Sequence, residues 1–384
     1  MRRPDTDHFD EARLDEAWQV VLEGLRQGAF GGAVALVAHR GTVVLHRAAG
    51  WACREPEAIP MTVDTIFDLA SLTKVVATLP AILRLVARGD LELDRPAGQV
   101  LPEFGHDDWK TAVTVRRLLS HTTGLPAWLP LYLDARGPDE YVAAIARLQP
   151  VAPPGEQVIY SDLNFILLGE VVRRVSSQDV ARFAAAEIFA PLGMRDTLFQ
   201  PPAALRSRIA ATEHGNGYEM GQAGERATSF PCWRRELIWG EVHDGNACYG
   251  LGGVSGHAGL FSTAADLARY GQMWLQRGSW QDTQVLPVRL VAEATRPQAP
   301  GRGLGWLLAG PEPQPETFPA KGLTPSAYGH TGFTGTSLWV DPELELIVIL
   351  LTNRVHPKVR VEIATIRPAF HERVAAAFRR SRDG

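Results

Sequence analysis

Residues 65–89 read Thr65-Ile66-Phe67-Asp68-Leu69-Ala70-Ser71-Leu72-Thr73-Lys74-Val75-Val76-Ala77-Thr78-Leu79-Pro80-Ala81-Ile82-Leu83-Arg84-Leu85-Val86-Ala87-Arg88-Gly89. Leu72, Val75, Val76, Leu79, Ile82, Leu83 and Val86 recur at intervals of three and four, which predicts an apolar helical stripe that begins at Ser71 and ends at Gly89. Pro80 lies inside the stripe and is expected to kink or interrupt it, because it brings no N–H to the ladder and its ring crowds the preceding turn. Ser71 and Lys74, three apart, share a face and fall within hydrogen-bonding reach. A serine hydroxyl is a poor nucleophile until its proton is taken, and a lysine desolvated in a cleft can take it. The helix N-terminus beneath Ser71 adds partial positive charge for an oxyanion. The same spacing also fits a solvent-facing Ser and Lys on an ordinary helix, so the rest of the chain must decide.

Upstream, Leu14, Ala17, Val21, Leu22 and Leu25 give a helical pattern over Phe9 to Gln27 that stops at Gly28. The period then changes: Ala33 to His39 and Thr42 to Ala48 are β-rich runs joined at Arg40-Gly41, a hairpin signature. Downstream, residues 94–226 alternate short helical patterns with Pro- and Gly-rich turns and show little strand alternation. Residues 240–262 are dense in glycine, which favours tight loops over regular structure. Ala264 to Gln276 is helical, Tyr328 to Val340 and Leu344 to Thr352 read as two strands around Asp341-Pro342-Glu343, and a last helix covers Val361 to Arg379. Helices and strands at both chain ends enclose a helical middle. This predicts one α/β lobe from residues 1–93 plus 227–384, a mostly helical lobe from 94–226, and a substrate cleft between them.

The 384 residues allow two or three structural units, and 45% hydrophobic with 21% charged side chains is a globular composition. Basic residues number 39 against 43 acidic, a formal charge of −4, which provides no electrostatic footprint for a nucleic acid or an anionic membrane. The longest apolar stretch, Val75 to Leu83, is too short to span a bilayer. The polar start Met1-Arg2-Arg3-Pro4-Asp5 lacks the apolar segment that export uses, so a cytoplasmic location is expected. Cys53, Cys232 and Cys248 are widely spaced with no C-x-x-C pair, and are read as reduced packing residues.

Phosphate-loop, dinucleotide, zincin and nucleophile-elbow motifs are absent, and neither a metal nor a cofactor is expected. Two further elements stand beside Ser71 and Lys74. Tyr160-Ser161-Asp162 follows Pro153-Pro154-Gly155 and precedes an apolar helix over Leu163 to Val175. A turn there can hold the Tyr160 hydroxyl against a cleft, where a lysine cation would favour its phenolate as a general base; equally, the tyrosine could simply pack while Ser161 or Asp162 caps the helix. His330-Thr331-Gly332 lies in a glycine-rich strand whose small residues let an extended substrate approach exposed backbone N–H groups.

In order and separation, Ser71-x-x-Lys74, Tyr160-x-Asp162 and His330-Thr331-Gly332 resemble the S-x-x-K, Y-x-N and K-T-G motifs of class C β-lactamases, D,D-peptidases and family-VIII carboxylesterases. The stretches Leu118-Leu119-Ser120-His121-Thr122-Thr123-Gly124-Leu125 and Gly253-Val254-Ser255-Gly256-His257-Ala258-Gly259-Leu260-Phe261-Ser262 agree, and the resemblance spans Gly32 to Val355. It implies the β-lactamase/transpeptidase-like fold, an α/β (α+β) arrangement with an antiparallel sheet flanked by helices. It also implies that Ser71 attacks a carbonyl, that Lys74 and Tyr160 share the base role, and that the N–H of Ser71 plus one near Gly335 hold the oxyanion of an acyl-enzyme mechanism.

Two departures bear on the substrate. Asp162 stands where these enzymes usually carry Asn, and a carboxylate near Lys74 raises the lysine pKa and removes an amide donor. His330 stands where they carry Lys and is largely neutral at pH 7, which weakens the fixed charge for a β-lactam carboxylate. Both favour small or medium-chain esters over β-lactams or D-amino-acid peptides, with a non-catalytic binding module on the same fold as a further alternative. His243, Asp244 and His257 are candidates to line the cleft or to brace its loops, and His121 is read as structural.

Overall fold

The computed structural model describes residues 9–104, 108–310 and 320–379. The expectation drawn from Met1 to Asp5 lies outside the described residues.

The hairpin forms as its turn residues dictate: Arg40 and Gly41 adopt φ of 50° and 76°, the left-handed pair that matches strand twist. It joins β1 (Gly32–His39) to β2 (Thr42–Cys53). The remaining strands in chain order are β3 (Ile59–Pro60), β4 (Phe67–Asp68), β5 (Leu198–Phe199), β6 (Leu260–Ser262), β7 (Ser279–Trp280), β8 (Thr283–Gln284), β9 (Leu307–Leu308), β10 (Tyr328–Thr331), β11 (Ser337–Asp341) and β12 (Leu346–Thr352). A seven-stranded antiparallel sheet runs β3-β2-β1-β12-β11-β10-β9, so its centre pairs the two ends of the chain, Ala33 opposite Thr352 and Leu36 opposite Ile349.

β1 and β12 are buried along their whole length, which explains why they read as unbroken apolar runs. Alternate residues serve two cores. Ala33, Ala35 and Val37 meet the terminal helices Glu11–Arg26 and Ile363–Phe378 through Leu14, Trp18, Val21, Phe370 and Val374. Val34 and Leu36 share the other core with Leu72, Val75, Val76, Leu79 and Ile82 of the Ser71 helix. Between residues 94 and 226 the described elements are helical or irregular apart from β5 and isolated bridges. Among the described residues no helix is long and apolar enough to cross a membrane.

Four local expectations change. The run from Tyr328 to Val340 is two antiparallel strands, with Tyr328 opposite Val340 and a turn that contains Gly335 at φ 109°. The interruption at Pro80 is a π-helical turn over Lys74–Thr78: Leu79 N–H reaches back to the Lys74 carbonyl, and Pro80 opens the regular helix Leu79–Arg88, where its missing donor costs little. The glycine-dense segment holds the π-helical turn Asn246–Gly250 and β6. Cys232 is exposed and so packs nothing, whereas Cys53 is buried.

Candidate active site

A small sheet of order β4-β6-β5 delivers the chain to Ser71. After β4 the backbone turns sharply, with Ala70 at φ 46°, a conformation that costs an L-residue roughly 1 kcal/mol and that Asp68 fixes. The buried Asp68 accepts from Ala70 N–H (2.8 Å) through one oxygen and from His243 N–H (2.7 Å) through the other. The β10–β11 turn is fastened to the same place. Thr334 Oγ1 donates to the Asp68 carbonyl (2.6 Å) and Thr336 Oγ1 to the Leu69 carbonyl (3.0 Å). A Cβ on Gly332 would run into the Leu69 carbonyl and Thr336 Oγ1, so only glycine lets the His330 strand lie this close to the serine turn.

Lys74 is fully buried, and its ammonium has a complete set of partners: Ser71 Oγ (2.9 Å), the His257 carbonyl (3.0 Å) and Asp162 Oδ1 (2.8 Å). It also lies 5.1 Å from the centre of the Tyr160 ring. Burial alone would lower the lysine pKa, but Asp162, and after it Tyr160, outweigh burial and raise it above the ordinary value. Lys74 is therefore a cation at neutral pH that hydrogen-bonds to the serine oxygen.

Tyr160 is held by its neighbours. Its ring packs on His121 (4.7 Å between centroids) and His330 (5.8 Å), and the Arg302 guanidinium lies 5.3 Å from its centre. His121 is buried, at φ 58°, and brackets the turn: its carbonyl accepts from Ile159 N–H and its Nδ1 from Ser161 N–H. Ser161 occupies the N-cap position of the helix Asp162–Ser176, but its hydroxyl donates to the Pro126 carbonyl (2.6 Å) instead of capping.

His330 is buried, with Nδ1–H donating to the Thr331 carbonyl (2.7 Å). Burial, then the charges of Lys74 and Arg302, pull its pKa down to about 3, so it is neutral. Gly335, expected beside the oxyanion, does not line the cleft. Its N–H donates to the Gly332 carbonyl (3.1 Å) and its carbonyl accepts from Thr352 Oγ1 (2.9 Å), so the turn consumes both groups. Among the described residues, the N–H groups of Ser71 and Phe333 donate to no protein acceptor, and both residues line the cleft.

The cleft encloses about 780 Å³ and brings together Ser71, Tyr160, Asp162, His330, Thr331, Gly332, His243, Asp244 and His257. His243 pairs with Glu213 (2.9 Å), and its ring stacks on Phe333. His257 Nε2 meets Asp244 Oδ1 (2.8 Å) and its Nδ1 meets Ser255 Oγ (2.7 Å). Burial would raise the Asp244 carboxyl, but His257, the Ala247 N–H and the Lys74 charge bring it to about 2. Asp162, Asp244 and His257 also place ligand-type atoms within 4.8 Å of one another. Lys74 already supplies positive charge there, with its ammonium on Asp162 and on the His257 carbonyl, so no metal is assigned to the cluster.

Sequence reading missed several cleft residues: Trp128, Tyr218, Glu219, Arg302, Phe333, Arg354 and Arg367. Only Phe333 adjoins a recognised motif. The others, Tyr218 and Glu219 on the helix Gly217–Ala223 and the rest on scattered segments, have no local pattern to mark them.

A family model described as Beta-lactamase matches residues 13–370. A relative from Salmonella agona (strain SL483), named "Putative D-alanyl-D-alanine carboxypeptidase", is 31% identical over 387 residues, covering 93% of this chain and 86% of its own. Among solved structures, a penicillin-binding protein homolog from Caulobacter crescentus is 25% identical with a TM-score of 0.73, covering 97% of this chain and 98% of that one. EstCE1, described as a hydrolase with promiscuous acyltransferase activity, is 22% identical with a TM-score of 0.72, covering 95% and 99%; at that identity the likeness concerns the fold. With a match over most of its length and a lysine, a tyrosine and a serine gathered at one cleft, the chain belongs to the beta-lactamase family of serine hydrolytic enzymes.

Proposed function

We propose that the protein hydrolyses small acyl compounds through an ester intermediate on Ser71, with carboxylic esters as the first substrate class. The observation that carries this is the contact of Lys74 Nζ with Ser71 Oγ at 2.9 Å, beneath a cleft that Tyr160 also lines.

With the lysine held as a cation by Asp162, Tyr160 in its phenolate form is the group that takes the Ser71 proton. The serine oxygen attacks the carbonyl carbon, and the resulting oxyanion is received by the N–H groups of Ser71 and Phe333. The carbonyl's bond to the leaving group then breaks, and the leaving group takes the proton from Tyr160. Water attacks the acyl-serine with Tyr160 again accepting a proton, and the acid departs as Ser71 Oγ regains one. Whenever it holds no proton, Tyr160 carries a negative charge near two cations, the Lys74 ammonium and the Arg302 guanidinium, 5.1 and 5.3 Å from the centre of its ring.

Esters come first because His330 is neutral and Asp162 replaces an amide, as reasoned from the sequence. The Salmonella relative's name favours a second reading, removal of a terminal D-alanine from a peptide. The experiment is turnover of p-nitrophenyl acetate and butyrate by wild type, Ser71→Ala and Tyr160→Phe, with a fluorophosphonate probe and mass spectrometry to locate the adduct. We expect labelling at Ser71, no turnover above background in Ser71→Ala, and acylation slowed about 10²–10⁴-fold in Tyr160→Phe. Undiminished turnover in Ser71→Ala would remove the serine from the mechanism.

A further inference from the structure

Glu213 and His243 form a buried pair that the acyl transfer itself does not use. Glu213 is 4% exposed and does not line the cleft. Its Oε2 faces His243 Nε2 at 2.9 Å, and its Oε1 accepts from Tyr218 N–H at 3.0 Å. Those two partners are the residues whose rings pack on Phe333, His243 stacked at 5.6 Å between centroids with 29° between planes and Tyr218 at 5.0 Å. One carboxylate thus anchors two rings that flank a third. The Arg354 guanidinium lies 4.5 Å from the centre of the Phe333 ring and also donates to the Phe333 carbonyl. His243 reaches the serine side as well, since its N–H donates to Asp68, which holds the Ala70 turn before Ser71.

An oxyanion hole works only when its donors are aimed in advance at the place where the charge develops. The Phe333 N–H has no protein acceptor to fix its direction. On one side its peptide is held by Gly335 N–H on the Gly332 carbonyl at 3.1 Å, and Gly332 has no side chain to restrict rotation of the backbone. The other side of that peptide is Phe333 itself, so whatever fixes the Phe333 ring also fixes the aim of its N–H. Glu213 supplies that constraint twice. By accepting from His243 Nε2–H it sets the plane of the imidazole. By accepting from Tyr218 N–H it satisfies a free donor in the first turn of the helix Gly217–Ala223, where the N-cap residue Asn216 makes no side-chain cap bond.

We propose that Glu213 is a positioning residue for the oxyanion hole: through His243 and Tyr218 it clamps the Phe333 ring and so aims the Phe333 N–H at the oxygen of the reacting carbonyl. The inference rests on the acyl-Ser71 reading and holds equally whether that carbonyl belongs to an ester or to a peptide. It gives the pair a role in which neither side chain exchanges a proton with the substrate.

A double-mutant cycle tests the clamp. Wild type, Glu213→Gln, Phe333→Ala and the double variant are compared on p-nitrophenyl butyrate, and in the rate at which a fluorophosphonate probe labels Ser71. Glutamine keeps the size of the side chain, but its one carbonyl oxygen cannot accept from both Tyr218 and His243. Losing an oxyanion donor outright costs about 10²–10³ in kcat, so misaiming one in Glu213→Gln is expected to cost about 10–10²-fold in kcat, with KM within about twofold of wild type and labelling slowed in proportion. Phe333→Ala keeps the N–H and removes the ring, and a similar loss is expected. Adding Glu213→Gln to it should cost less than about twofold more, because nothing is left to clamp. Tyr218→Ala, at an exposed position, keeps the test open if Glu213→Gln does not fold; a loss of about three- to tenfold in kcat is expected, again only while the Phe333 ring is present. A loss that is the same with and without the Phe333 ring overturns the clamp, and so does wild-type kcat in these variants while Ser71 is still labelled. A wild type whose Ser71 takes no probe and which turns over no ester overturns the acyl-Ser71 reading, and the clamp falls with it.

Discussion

Replacing Asp162 with asparagine tests the electrostatic claim at the centre of the site. The change keeps the side chain's shape and removes the carboxylate that sits 2.8 Å from a fully buried ammonium. In the wild type the folded-state pKa of Lys74 lies above its ordinary value, so the lysine is protonated in both folded and unfolded chains at neutral pH. Its contribution to stability is fully present below the unfolded pKa and is lost only as pH rises through the folded one. Without Asp162, burial becomes the dominant influence and the folded pKa drops below the unfolded value. Between those two values the unfolded chain binds the extra proton, so stability must rise with pH, by up to about 1.4 kcal/mol per pH unit. Removing one member of a buried pair costs about 3–5 kcal/mol, which sets the deficit at pH 7. Two pH units at the full slope would recover nearly 3 kcal/mol of it. The assay is urea unfolding of both proteins at pH 7, 8 and 9, followed by tryptophan fluorescence. Convergence of the two stability curves toward pH 9 is expected. Curves that stay parallel would refute the claim that Asp162 holds the lysine proton, and with it the reason for giving the base role to Tyr160.

His330→Gln tests the buried neutral histidine. With a folded pKa near 3 against about 6.5 unfolded, His330 makes the wild type lose stability as pH falls below about 6.5, so the variant's unfolding free energy between pH 6 and 4 should be shallower by about 1.4 kcal/mol per unit. Thermal or urea unfolding at pH 6, 5 and 4 reads the difference, and identical slopes would contradict the assigned burial. Gly332→Ala places a methyl against the Leu69 carbonyl and Thr336 Oγ1, and should cost about 1–3 kcal/mol while lowering kcat as the strand lifts from the serine turn. An unchanged Tm with unchanged kcat would show that the close approach is not needed.

Much of the scaffold and part of the site were legible because they depend on neighbours in sequence. The stripe from Leu72 to Val86, the Arg40-Gly41 turn and the flanking helices follow from periodicity and turn chemistry, and they appear where expected. The division of Tyr328 to Val340 into two strands was not legible, because both halves have strand-forming residues and the glycines between them serve a strand edge as readily as a turn. Gly335 was assigned beside the oxyanion for the same reason, and only the hydrogen bonds of the turn show that its groups are already used.

The order Ser71, Lys74, Tyr160, Asp162, His330 is written in the chain, since a reactive constellation needs particular side chains at particular spacings, and Asp162 itself announced that the lysine would be held as a cation. The charge balance of the cleft belongs to the tertiary structure alone. Arg302, Arg354, Arg367 and Glu219 are ordinary surface-type residues in one dimension, and what makes them matter is that each lines the cleft. Coulomb energy and desolvation depend on distance through space and on the exclusion of water, neither of which is defined until the two ends of the chain have paired in one sheet.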